Sequence, residues 1–352
     1  MARQRKSDGI FGLCADYDSS LVVLIPVPWE VTTSYGSGTS RGPEAIFRAS
    51  PQVDLFDPRF SDHLGDAYAA GFFWDFSFNS NDLCAQNDRL KPLAQQVIQE
   101  CDTFGSITSQ AAINSLKIVN GGCAKMVDAV RSRACEILTQ NKVPAVIGGD
   151  HSTPLGIIQA VCEVHGSDEV GILHFDAHAD LRLAYQGFQF SHASIMRNVC
   201  QLKRPPKRLI QVGIRDFCRE EADFIRQNNA RIQTHFDHEV KRQLFNGTSW
   251  DTVCEKIVDE LPSLVYVSFD IDGLSPEFCP HTGTPVPGGL SFDQASYLLE
   301  KLGHSGRRIV GFDLNEVAPG PNNNEWDGNV GARLLFQLCN WTALTNVGHP
   351  KT

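Results

Sequence analysis

The sequence predicts an α/β fold, a parallel sheet covered by helices on both faces, and three observations point to it. Short apolar, β-branched runs recur from Leu21 to about residue 340; stretches of helical spacing lie between them; and no low-complexity linker or internal repeat breaks the series. Alternation of that kind is the mark of strands joined by crossover helices. At roughly 150 residues per domain, 352 residues would divide into about two. One sheet-centred domain over 1–352, elaborated over about 1–120, is the simpler expectation.

The first candidate strand is Leu21–Pro26. Residues 58–120 read as irregular loops, with Gly, Asn and Asp scattered through GFFWDFSFNSNDLCAQND (71–88), followed by a helix from about Lys91 to Phe104. Met126, Val127, Val130, Ala134, Ile137 and Leu138 recur every three to four residues, a helical stripe that ends just before a second strand, Val143–Ile147. The remaining strands are Val170–Phe175, Arg208–Val212, Leu264–Phe269 and Arg308–Phe312.

Composition narrows the class of function. With 31 basic and 41 acidic side chains and a net charge of −10, the chain lacks the clustered cationic excess that phosphate backbones require, which argues against nucleic acid. Arg3, Arg5 and Lys6 read as a solvated tail. No apolar run nears the roughly 18 residues of a membrane span. The longest, Leu21 to Trp29, holds two prolines and follows Asp16 and Asp18, unlike a secretory signal. Eleven cysteines, an odd number without any C-x-x-C pair, suit free thiols in a reducing compartment. A cytoplasmic location follows.

Ligands of such sheets bind beyond the carboxyl ends of the strands, and three strand ends here are crowded with polar residues. They read VIGGDHS (146–152), ILHFDAHAD (172–180) and VSFDID (267–272). In an extended chain Asp176, His178 and Asp180 point the same way, as do Asp270 and Asp272. Converging carboxylates cost several kcal/mol per unpaired ion, in order of magnitude, unless a cation offsets them. His151, His178 and four aspartates exceed what one tetrahedral zinc uses. They suit two metals and the activation of water for hydrolysis. Imidazole and carboxylate without thiolate point to Mn²⁺, Ni²⁺, Fe²⁺ or Co²⁺. Used singly, each residue could serve a turn or a cap, and Asp150 is a candidate helix N-cap. GGDHS lacks the Lys of a phosphate loop, and no Gly-x-Gly-x-x-Gly follows a strand.

At these residues the sequence resembles the ureohydrolases, the family of arginase, agmatinase, formiminoglutamase and guanidinase. GGDHS (148–152), FDAHAD (175–180), SHAS (191–194), SFDIDGL with HTGTPVPGG (268–289) and GFDLNEVAP (311–319) occur in family order. PVPWEVTTSYGSGTSRGPEAI (26–46) looks like the family's opening strand and glycine-rich turn. The resemblance implies a three-layer α/β/α arginase-like fold with a mainly parallel eight-stranded sheet, and a trimer or hexamer. It implies two divalent ions per chain, Mn²⁺ or Ni²⁺. One would be held by His151, Asp176, Asp180 and Asp270, the other by Asp176, His178, Asp270 and Asp272. A water activated between them would attack a guanidinium carbon, with Asp180 moving its proton, His192 shuttling protons and Glu316 pairing with the guanidinium. Where many relatives have Asp, this chain has Ser275, which puts the support of the metal loop in doubt.

The loop after the D-x-H-x-D strand, LRLAYQGFQF (181–190), has none of the Asn and Ser that hold arginine's head in arginase-like enzymes. It offers one cation, Arg182, and the aromatics Tyr185, Phe188 and Phe190. An aromatic wall around a very small pocket suits free guanidine, and TTSYG (32–36) and EWDGNVGARLLFQLCNW (325–341) resemble the guanidinase-type branch more than ordinary agmatinases, so guanidine, giving urea and ammonia, is the first expectation. Agmatine comes second, giving putrescine and urea. Formiminoglutamate, for which Arg182 and Arg215 would supply cations, comes third, and arginine is disfavoured. The aromatics could also be ordinary packing. Two other classes stand beside the hydrolase: a one-zinc deacetylase of the same fold and a non-catalytic binding module.

Overall fold

Residues 9–60, 71–78 and 80–346 are described in a computed structural model of the chain. The tail cluster of Arg3, Arg5 and Lys6 lies outside the described residues.

The strands are β1 (Val22–Val27), β2 (Phe72–Trp74), β3 (Val143–Gly148), β4 (Val170–Phe175), β5 (Arg208–Val212), β6 (Ile232–His235), β7 (Leu264–Asp270) and β8 (Arg308–Asn315). They form one sheet in the order β2-β1-β3-β8-β7-β4-β5-β6, and every neighbouring pair is parallel. β1, β3 and β4 are buried throughout, so their runs read as uninterrupted apolar stretches. Two prolines sit in these strands without breaking the ladder. Val22 and Leu24 bond toward β2, so Pro26 faces that side too, beyond the end of three-residue β2. Pro144 faces β8 one residue before the β3–β8 pairing begins.

Helices cover both faces. On one side lie α1 (Gly42–Ala49), α7 (Asp237–Phe245), α8 (Trp250–Asp259), α9 (Phe292–His304) and α10 (Trp326–Asn346). On the other lie α2 (Ser80–Phe104), α3 (Gln110–Thr139), α4 (Leu155–His165), α5 (Ile195–Cys200) and α6 (Arg219–Gln227). Each apolar side chain fully buried between helix and sheet contributes about 1.5–3 kcal/mol. Phe175 and Phe269 stack with ring centroids 4.5 Å apart, locking β4 to β7 directly beneath the polar rim. Ser109 caps α3 through the Ala112 amide, which fixes where that helix starts.

All six expected strands form. Residues 71–88 are not irregular, however: Phe72–Trp74 is a strand, and α2 begins at Ser80 rather than near Lys91. β6 was likewise unforeseen. Apart from Cys14, every cysteine is a free thiol, and five of these are buried. Among the described residues no helix is long and apolar enough to cross a membrane.

The chain fills β1 and β3, jumps over two strand positions to β4, β5 and β6, then returns to insert β7 and β8 into the gap. The four middle strands β3, β8, β7 and β4 therefore end side by side on one rim. The three polar strand ends, and the segment after β8, all emerge there.

Candidate metal centre and active site

β3 runs into a turn in which Asp150 Oδ1 accepts from the amide (2.9 Å) and hydroxyl (2.5 Å) of Ser152. Asp150 does not cap α4, whose N-cap position is Pro154; it shapes the turn that carries His151. Beyond β4, His178 is still extended, bridging to Asp216, but Asp180 is left-handed at φ 55°. Beyond β7 the expected extended D-x-D does not continue. A short 3₁₀ turn, Ile271–Gly273, rotates Asp272, and Asp270 Oδ1 caps it by accepting the Asp272 amide at 2.9 Å. Gly273 lets this turn nest against the β4 loop, because a Cβ there would lie 2.7 Å from the Asp176 nitrogen.

All six expected metal ligands converge. His151 Nδ1 lies 3.0 Å from Asp176 Oδ2, 3.2 Å from Asp180 Oδ2 and 3.3 Å from Asp270 Oδ2. His178 Nδ1 lies 3.4 Å from Asp176 Oδ1 and 3.2 Å from Asp272 Oδ2. Asp176 thus turns one oxygen to each group and spans them. Asp270 faces the first group through Oδ2, and its Oδ1 accepts the Asp272 amide just as Asp176 Oδ1 accepts the His178 amide at 2.6 Å, each oxygen keeping a second lone pair.

The hydrogen-bond network decides what this arrangement can hold. Asp313 Oδ1 accepts from the Ser268 hydroxyl at 3.0 Å. Ser268 Oγ must therefore accept from His151 Nε2, also 3.0 Å away. In a neutral imidazole that leaves Nδ1 a bare lone pair facing three carboxylate oxygens. Acceptors outnumber protons, and a divalent cation is the group that satisfies such a set. His174 is fixed in the same way: Gln211 Nε2 donates to its Nδ1 at 3.0 Å, so its Nε2–H donates to Asp176 Oδ2 at 2.9 Å. Thr234 in turn donates to Gln211 Oε1 at 2.9 Å. Such outer partners orient ligands and tune their basicity. His174, Gln211, Ser268 and Asp313 were missed in the sequence, although each is a polar residue inside an otherwise apolar strand.

Charge crowding shifts the acids apart. Burial and the neighbouring Asp176 push the Asp180 carboxyl up to about 7. Burial, with Asp272 and Asp176, drives Asp270 well above the carboxylate range. Asp176 is held well below it: burial opposes ionisation, but His151, His174 and His178 outweigh it. Burial would lower His151, yet Asp176, Asp180 and Asp270 raise it well above its ordinary value.

Glu316, just past β8, is buried and left-handed at φ 62°. Its Oε1 accepts the His151 amide at 2.9 Å, and its Oε2 lies toward Gly283. Non-glycine residues with positive φ cost of order 1–3 kcal/mol and cluster where function demands the geometry. Burial pushes the partly buried His192 down to about 4, with His178 and His151 adding to the effect and the Thr32 carbonyl opposing it. The near-neutral value expected for a shuttle is not what this environment sets.

The 181–190 loop departs from expectation. Phe188 is fully buried in the core beneath α2–α6, and Phe190 packs against that core. Neither helps form a closed aromatic wall. Tyr185 does approach the site, its ring centroid 6.2 Å from that of His192. The Arg182 guanidinium stacks over Tyr185 at 4.9 Å and lies 3.7 Å from Glu221. Arg215 is spent on the carbonyls of Gly213, Asp272, Leu274 and Val286, so it braces the metal loop and is not free for a substrate carboxylate. Ser275 bonds to Glu277, and that bracing by Arg215 supports the loop.

A parallel sheet whose central strand ends carry paired imidazoles and four converging aspartates defines a metal-dependent α/β hydrolase. The chain belongs to the arginase family, whose model matches residues 20–340; this is a family of binuclear divalent-metal hydrolases acting on amidino C–N bonds. It is 28% identical over 303 residues to the N(1)-aminopropylagmatine ureohydrolase of Synechocystis sp., covering 86% of this chain and 83% of that one. It is 29% identical over 327 residues to the agmatinase of Bacillus subtilis, covering 92% of each. The solved structure of proclavaminate amidino hydrolase from Streptomyces clavuligerus superposes with a TM-score of 0.71 at 24% identity, over 98% of this chain and 100% of that one. All eight strands run parallel, as that fold requires.

Proposed function

We propose that this protein hydrolyses the guanidino C–N bond of an agmatine-type amine, releasing urea, as one catalytic domain with two Mn²⁺ or Ni²⁺ ions. The observation that carries the metal-dependent reading is the convergence of His151 Nδ1 and three carboxylate oxygens within 3.0–3.3 Å of it in a buried site. When bound, the cations supply the charge that makes water nucleophilic near neutral pH. His151, Asp176, Asp180 and Asp270 would hold one, and Asp176, His178, Asp270 and Asp272 the other. Asp180 takes a proton and returns it to the leaving nitrogen. His192, neutral at physiological pH, accepts a proton at the rim. Glu316 Oε2 remains for the guanidinium and accepts from one of its N–H groups in a charge-assisted bond.

Free guanidine, first on sequence, gives way to agmatine for two reasons. Two of the three aromatics invoked to shrink the pocket are engaged in the core, and relatives over most of the chain are named for agmatine or aminopropylagmatine. The one cation of the 181–190 loop, Arg182, has Glu221 3.7 Å away, which offsets its repulsion of an ammonium tail.

Urea release from agmatine, guanidine, arginine and guanidino acids, after loading with Mn²⁺ or Ni²⁺, tests the reading. Agmatine should give the highest kcat/KM. A chain carrying two ions that frees urea from none of them refutes the activity, and guanidine outrunning agmatine refutes the substrate.

A further inference from the structure

The segment 29–42 borders the site at three points without contributing a metal ligand. The Trp29 carbonyl accepts the Asp150 amide at 2.7 Å, beside His151. The Thr32 carbonyl faces the His192 ring. The Gly36 amide donates to Gly283 at 3.1 Å, next to Glu316 Oε2. Segments of this composition, VTTSYGSGTS over 31–40, lose much entropy on ordering. Something must hold it.

Glu30 does so from within. It is only 5% exposed, and its Oε2 accepts from the amides of Gly38 (2.5 Å) and Ser40 (3.1 Å) and from the Thr39 hydroxyl (3.4 Å). Gly38, at φ 125°, supplies the backbone turn that aims these donors inward. The other oxygen, Oε1, pairs with Lys91 Nζ, and Asn87 Oδ1 accepts the Glu30 amide at 2.7 Å. Lys91 and Asn87 both belong to α2, a helix that carries none of the metal ligands. Burial raises the Glu30 carboxyl, but Lys91 and the loop amides outweigh it and keep it ionised. A buried carboxylate bonded on both sides is rigid, and removal of its cation leaves an uncompensated charge.

We infer that Glu30 and Lys91 form a positioning pair: α2 holds Glu30, Glu30 holds the 31–40 segment, and that segment sets His192 and Glu316 for the guanidino substrate. The inference rests on the hydrolase reading above. Neither residue touches the reacting atoms. Their effect is geometric, and misplacement by an ångström is enough to cost a large part of the rate.

The test compares Lys91→Met, Lys91→Arg and Glu30→Gln in full-length, metal-loaded protein. Lys91→Met should speed amide exchange at Gly36, Gly38 and Ser40 and lower kcat/KM with agmatine about tenfold, mostly in kcat. Two ions per chain should remain, and Lys91→Arg should restore both readouts. Glu30→Gln should change both in the direction of Lys91→Met. Unchanged exchange at these amides overturns the inference, as does faster exchange with unchanged kcat/KM. If wild-type protein releases no urea, the hydrolase reading fails separately. The His192 ring resonance then decides the pair: a change in Lys91→Met that Lys91→Arg reverses supports it, and no change overturns it.

Discussion

Removing the cations should make the protein's stability fall as pH rises, and the sign follows from the crowded carboxyls. Asp180 moves from an ordinary 3.8 to about 7 in the folded chain. Between those values the folded state holds a proton that the unfolded state has lost, so stability declines as pH climbs through the window. Between about pH 6 and about pH 8 a group titrating near 7 loses about 1.4 kcal/mol. For a chain of 352 residues that corresponds to a drop in Tm of about 2 °C. Asp270 and Glu316, also raised, act in the same direction. So do His151 and His178, whose raised folded values confer stability present below 6.5 and lost as pH rises through them. His192 and His174 oppose this only below 6.5, because their lowered values make stability grow as pH rises toward that point. Metal-loaded protein should show a flat or rising Tm, since cations replace the protons and bind more tightly as ligands deprotonate. Thermal melts of chelator-treated and reloaded protein across this range decide it. A metal-free Tm that rises from about pH 6 to about pH 8, or parallel curves for the two forms, would refute the reasoning.

Asp176→Asn should lose at least one of two ions and cut turnover by about a hundredfold or more, because Asp176 turns one oxygen to each group; elemental analysis beside the urea assay checks this. Glu316→Gln should keep both ions yet lower kcat/KM by about tenfold to a hundredfold, a steady-state measurement that separates guanidinium pairing from metal binding. Phe188→Ala should cost about 3–5 kcal/mol of stability in denaturant melts, because its ring is wholly buried, and leave the ranking of substrates unchanged. Tyr185→Ala, beside His192, should do the reverse, changing KM among substrates with little change in Tm.

The strands legible in the sequence were those buried on both faces, where VVLIPV or VGILHF admits no other element. β2 has three residues, and β6 reads IQTH, polar at all but its first position. Its Thr234 completes the chain that orients His174, so the residue that obscured the strand is the one the site uses. Helix α2 hid its first turns in SNDLCAQND, whose few apolar residues give no clear stripe. The metal ligands were legible because carboxylates at strand ends have few other uses in such number. Phe188 was misread because aromatic residues in a loop suggest exposure, whereas this loop folds back under α2 and α3. The role of Arg215 could not be read at all: its partners are backbone carbonyls, which carry no signature in sequence.

Asp180 and Glu316 occupy backbone conformations that glycine would adopt at no cost. Replacing Asp180 by glycine would relieve about 1 kcal/mol of strain and remove a buried acid, whereas Glu316→Gly would strand the buried His151 amide at about 1–3 kcal/mol. A selection for heat resistance alone, with metal withheld, should therefore enrich Asp180→Gly and not Glu316→Gly. Thermal hardiness and turnover pull against each other at Asp180, so any programme to toughen this scaffold should exclude it from its library.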